Sequence, residues 1–127
     1  MKAKLFSALA LILMSFSVGK ATAQDKGQMV RIAKITVDPV QLEAYNAALT
    51  EQMTIAVKLE PGVLTYYAVA DKDNPANITI LEIYANEAAY QSHIQTPHFK
   101  KYKATVEKMV KSLELINVDV IGIAKKD

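Results

Sequence analysis

The chain holds two histidines, and both fall in one stretch, SHIQTPHFKKY, from Ser92 to Tyr102. Histidine is the side chain best suited to moving protons near neutral pH, and it is also a common metal ligand. His93 and His98 are five positions apart, with Thr96-Pro97 between them. One helix cannot turn both rings onto one metal at that spacing, because helix faces recur every three or four residues. The chain has no cysteine and no HExxH pattern. The spacing therefore argues against a metal site, and none is expected. Thr96-Pro97 instead marks a helix start, with Thr96 placed to accept from the backbone N–H of His98 or Phe99. His93 then closes one helix and His98 opens the next, at opposite ends of two dipoles. The plain reading of both is a helix-end residue bonded to backbone. His93 is the candidate for chemistry and His98 the more structural of the two.

Glu82 is the second candidate. It interrupts the apolar run ITILEIY and, on a strand, shares a face with Ile78, Ile80 and Tyr84. A carboxylate among apolar neighbours needs a partner. Arg31 or Lys34 across a sheet would supply a structural one; otherwise Glu82 is a candidate base. Tyrosines stand at 45, 66, 67, 84, 90 and 102. Each buries a ring but needs a partner for its hydroxyl. They either pack the core or line a pocket with a few polar handles. The four glycines form no phosphate-cradling loop, which argues against nucleotide or flavin binding by a standard loop. No serine sits in a nucleophile elbow.

The elements that must position these residues follow from patterning. MVRIAKITV reads as a strand, with Ala33, Ile35 and Val37 on one face and Ile32 on the other. Asp38-Pro39 opens a helix, with Gln41 three residues after the cap. Leu42, Tyr45, Leu49, Met53 and Ala56 give it an apolar stripe to about Leu59, where Pro61-Gly62 stops it. VLTYYAVA and ITILEIYA are strands joined by the polar turn DKDNPAN. Asn86 caps a short helix, EAAYQSHI. The next helix turns Phe99, Tyr102, Val106 and Met109 inward, with its lysines mostly on a solvated face. LELINVDVIGI, Leu113 to Ile123, closes the order as a strand. The result is β-α-β-β-α-β, an α+β ferredoxin-like split. Helices cover one sheet face only, and apolar residues on both faces of the outer strands call for a partner sheet, most simply in a homodimer.

Residues 1–23 read as a cleaved signal peptide: Lys2 and Lys4, an apolar run from Leu5 to Val18, then Ala21-Thr22-Ala23. That run is short for a membrane span, so no stable anchor is expected after cleavage. Export to the periplasm or medium follows, and residues 24–127 form one domain. Removing Lys2, Lys4 and Lys20 leaves 12 of the 15 Lys and Arg against 13 Asp and Glu, so the formal charge moves from +2 to −1. A basic nucleic-acid footprint is absent. An exported chain without cysteine has no disulfide framework.

EPGVLTYY followed by ITILEIYANEAAYQSHIQTPHFKKY resembles the antibiotic biosynthesis monooxygenase (ABM) family, over Val30 to about Ile123. HIQTPHFKKY is the most specific part and is similar to the quinol monooxygenase and autoinducer-2-processing branch. The resemblance implies a dimeric α+β barrel. It also implies oxygenase chemistry without metal or flavin, on a small aromatic or quinol held between sheet and helices. It makes His93 and Glu82 the candidate catalytic groups, and Tyr84, Tyr66, Phe99 and His98 the candidate pocket residues. The haem-degrading branch is set aside, because Ala33, Tyr84 and Lys103 stand where it has Asn, Trp and a ligand His. A non-catalytic small-ligand-binding dimer and an isomerase of a small oxygenated metabolite are the alternative readings.

Overall fold

A computed structural model describes residues 27–127; the expected signal peptide lies outside them. Four strands and three helices follow in order: β1 (Met29–Val37), α1 (Leu42–Leu59), β2 (Val63–Ala70), β3 (Asn77–Tyr84), α2 (Glu87–His93), α3 (Pro97–Val106) and β4 (Val110–Val118). The strands form one sheet in the order β2-β3-β1-β4, and every pairing is antiparallel. This is the ferredoxin-like α+β arrangement that the patterning implies. Among the described residues no helix is long and apolar enough to cross a membrane.

β1 is central because its branched residues can be buried on both sides. Ala33, Ile35 and Val37 face the helices and are buried with Ile78 and Ile80 of β3 and Val106 of α3. The other face carries buried Val30 and Ile83, half-buried Ile32, Leu81, Ile116 and Val118, and exposed Tyr67 and Val69.

Asp38 does cap, but not directly onto α1. Its Oδ1 accepts from the Val40 backbone N–H at 3.1 Å and its Oδ2 from Gln41 Nε2 at 3.3 Å. These bonds hold its carboxyl below the usual carboxylate range. Pro39 opens a single 3-10 turn, Pro39–Gln41, and the α-helix begins at Leu42.

The buried stripe of α1 is Tyr45, Leu49, Gln52 and Ala56. Met53, expected in that stripe, is only half-buried against the core, and a glutamine takes the inner place. Gly62 then lets β2 pass beneath α2, since a Cβ there would collide with the Ala89 side chain. β4 starts at Val110, earlier than the apolar pattern suggests, because a register shift after Thr36 brings Val37 opposite Val110. It ends at Val118, well before Ile123.

Candidate active site

Between the helix-facing side of the sheet and the helices lies a cavity of about 530 Å³. Its floor is Ala33, Ile35, Ile80 and Glu82 of the sheet, with Tyr66 and Tyr84 at one end. Phe99 and Tyr102 of α3 and Tyr90 of α2, the last edge-on to Tyr84 with centroids 5.3 Å apart, also line the cavity, as do Leu113 and Leu115 of β4. Leu113 and Leu115 are about half exposed.

Polar side chains at the tyrosine end form one continuous hydrogen-bonded chain. Tyr84 O–H donates to Glu82 Oε1 at 2.9 Å. The Tyr84 and Tyr66 hydroxyls are 3.2 Å apart, and Tyr66 OH lies 2.8 Å from His93 Nε2. His93 Nδ1 is 2.8 Å from Glu60 Oε2, and the same oxygen is 2.6 Å from His98 Nε2. The chain thus runs from a carboxylate on the cavity floor, through two phenols and a fully buried imidazole, to a second carboxylate and an outer imidazole.

Burial, and next to it the Tyr66 hydroxyl and Glu82 charge, push the Tyr84 phenol far above its ordinary range. Burial and then Glu82 do the same for Tyr66. Both hydroxyls therefore keep their protons at neutral pH and can relay a proton, but neither serves as an anionic base.

Local structure places each member. Thr96 Oγ1 accepts from Phe99 N–H at 3.3 Å and donates to the His93 carbonyl at 2.7 Å, locking the corner between α2 and α3. Asn86 Oδ1 caps α2 by accepting from Ala89 N–H at 2.7 Å. The His93 ring is packed edge-on by Phe99, with centroids 4.9 Å apart. Gln52 Nε2 donates to Tyr66 OH at 3.3 Å, while buried Gln52 Oε1 has no partner among the described residues.

Of the residues expected from sequence, Glu82, Tyr84, Tyr66 and Phe99 line the cavity. His93 does not; it stands behind Tyr66 and reaches the cavity through that hydroxyl. His98 lines a smaller outer recess with Glu51 and Lys101. Glu82 is not ion-paired with Arg31 or Lys34. Arg31 is its register partner, but its guanidinium goes elsewhere, and Lys34 lies on the other face opposite Thr79.

Glu60 and Gln52 carry roles that the spacing argument did not assign. Glu60 closes α1 and reads as part of a helix stop, and a glutamine between helix turns reads as surface. The one available signal was that Gln52 falls on the apolar stripe with Tyr45, Leu49 and Ala56.

The two histidines also meet, despite their spacing, because the corner between α2 and α3 folds both rings onto Glu60. Their nitrogens and the carboxylate oxygen lie within 4.8 Å of one another, a donor set of the kind zinc or Fe(II) takes. Ligands of one tetrahedral zinc stand about 3.3 Å apart, given bonds of about 2.0 Å. The contacts of 2.8 and 2.6 Å fit shared protons instead.

The family model for antibiotic biosynthesis monooxygenase matches residues 29–105, and the chain belongs to that family. A crystal structure of a candidate antibiotic biosynthesis monooxygenase from Bacteriodes thetaiotaomicron VPI-5482 is similar over 80% of this chain and 95% of its own, at 53% identity and a TM-score of 0.75. A candidate monooxygenase from Lactobacillus acidophilus NCFM is 28% identical with a TM-score of 0.70, covering 84% of this chain and 53% of its own. A candidate antibiotic biosynthesis monooxygenase from Caulobacter crescentus CB15, at 22% identity, shares the fold with a TM-score of 0.70, over 75% of this chain and 91% of its own. No curated protein matches the chain.

Proposed function

We propose that this protein is a monooxygenase working without a bound cofactor on a small phenol or hydroquinone. The carrying observation is the unbroken hydrogen-bonded chain from Glu82 on the cavity floor to buried His93. An electron-rich phenol reduces O₂ once its hydroxyl is deprotonated, so the protein's task is to take that proton and hold the ring. Glu82 receives the proton from the substrate. Protonated Glu82 then donates to the Tyr84 oxygen, Tyr84 turns its own proton from Glu82 to Tyr66, and Tyr66 O–H passes its proton to His93 Nε2. Glu60 holds the resulting imidazolium through Nδ1–H, as a triad carboxylate does. The unpartnered Gln52 Oε1 is an acceptor for a second substrate hydroxyl.

In the oxygen step one atom of O₂ replaces a ring hydrogen and becomes a quinone oxygen. The other leaves as water with the two hydrogens lost from the ring carbon and the phenol. The substrate supplies all four electrons, so no outside reductant is required.

Oxygen uptake with a panel of hydroquinones tests this, comparing wild type with Glu82→Gln and His93→Ala. We expect uptake that both substitutions depress by at least about a hundredfold, the scale of a general base. No uptake with any member, or uptake indifferent to both changes, would rule the reading out. A relay made only of acids and bases also suits isomerisation of an oxygenated metabolite. Turnover that persists without oxygen would select that reading.

The apolar residues on the outer sheet face suit a homodimer, which sedimentation would show. The leader-like first 23 residues suit export, which cell fractionation would show.

A further inference from the structure

We propose that the cavity selects a phenol or quinol bearing an acidic substituent, and that Arg31 receives that anion. The inference rests on the cavity being the substrate site. Arg31 lies on the cavity face of β1, in register opposite Glu82. That placement ordinarily gives a cross-strand ion pair. Here the two charges are held apart. The guanidinium carbon sits 4.4 Å from the centroid of the Tyr90 ring, and Nε donates to Asn117 Oδ1 at 3.3 Å. Glu82 is occupied by the Tyr84 hydroxyl. Among the described residues Arg31 makes no ion pair.

An aromatic face from α2 and an amide from β4 thus fix the guanidinium plane before any ligand arrives. Among the described residues only Nε donates to a partner's oxygen, so the terminal nitrogens face a ligand without such a bond. They form a planar fork that matches the two oxygens of a carboxylate. Because the side chain is already restrained, little rotamer freedom is lost on binding. The charged groups lining the cavity are Arg31, Lys103, Glu82 and Glu107, a neutral set that does not repel an anion. The proton acceptor and the anion receptor are neighbours across one strand pair. A single ring can therefore present a hydroxyl to Glu82 and the tyrosines while its acidic group meets Arg31.

The test is isothermal titration of the purified protein with hydroquinone and with 2,5-dihydroxybenzoate, the same ring with one added carboxylate. We expect the acid to bind at least about tenfold more tightly, as one charge-assisted fork allows. Arg31→Gln should erase that ratio, and Arg31→Lys, which keeps the charge without the fork, should keep part of it. If Arg31→Gln does not fold, Asn117→Ala, which frees the guanidinium, should lower the ratio instead. Equal affinities in the wild type overturn the proposal. So does a ratio that survives Arg31→Gln in a variant with an unchanged unfolding midpoint. Binding is read here, not turnover. An acid preference without oxygen uptake therefore removes the oxygenase reading alone, and uptake of neutral hydroquinone without an acid preference removes this inference alone.

Discussion

Two pairs of tyrosines in this protein are built alike and connected differently. Tyr45 and Tyr102 meet hydroxyl to hydroxyl at 2.7 Å, with ring centroids 6.2 Å apart at 61°. Tyr66 and Tyr84 meet at 3.2 Å, with centroids 6.4 Å apart at 78°. Burial raises all four phenols above their ordinary range. The first pair ends in itself, fastening α1 to α3. The second continues at one end to a cavity carboxylate and at the other to a buried imidazole. Residue type, burial and ring geometry do not separate a pair that ends in itself from one that continues into acid and base groups. What lies beyond each hydroxyl does.

Alkali should act on both pairs together and give the largest effect on stability. Each folded phenol titrates above its unfolded value, so the stabilisation is complete below about pH 10 and is lost as pH rises past it. The unfolded chain ionises first and draws the equilibrium with it. Urea midpoints measured from pH 8 to 11 should fall steeply at the upper end, and a flat profile would contradict the burial of these hydroxyls.

His93→Ala comes next, because it cuts the second pair from its acceptor and also strips Glu60 of a partner. We expect a loss of about 3 kcal/mol in stability, the scale of breaking a buried charged contact, in addition to the fall in oxygen uptake.

Single hydroxyl deletions give the sharpest contrast. Tyr66→Phe should cut uptake by about tenfold or more and also cost about 1 to 2 kcal/mol of stability, because it strips buried His93 Nε2 and Gln52 Nε2 of a partner. Tyr45→Phe should lose about 1 kcal/mol of stability as well, but keep uptake within about twofold of wild type. If the two variants change uptake alike, the distinction between the pairs collapses.

The smallest effect is expected from Thr96→Ala. It removes the cap of α3 and the bond to the His93 carbonyl, at about 1 kcal/mol read as a lower thermal midpoint, and should lower uptake by less than Tyr66→Phe does without moving its pH profile.

Much of this was legible in the sequence, for definite reasons. β1 and β2 stand where branched and aromatic runs end at Asp38 and at Asp71, and the caps at Asn86 and Thr96 were readable from residue type and spacing. Strand alternation groups Glu82 with Tyr84, and the family motifs add Tyr66 and Phe99. What could not be read was what depends on a corner. Helical spacing correctly says that His93 and His98 cannot share one face of one helix. It says nothing about two helices folded against the end of a third, and so it missed Glu60 as their common partner. The start of β4 was misplaced for a similar reason: Val110 joins the sheet past an extra β4 residue, Lys111, between the pairs Thr36–Ser112 and Val37–Val110, a register shift that no local pattern records. Gln52 was passed over because the stripe was drawn through Met53, one residue away.

The single oxygen that both histidines share has a further consequence. Glu60 Oε2 is an acceptor, so each ring must turn an N–H towards it: His93 through Nδ1 and His98 through Nε2. In their neutral forms the two imidazoles are therefore opposite tautomers, five residues apart in one chain. Carbon and nitrogen chemical shifts of the rings distinguish the two forms, so one spectrum of the protein, which holds no other histidine, reads out whether the corner between α2 and α3 is assembled.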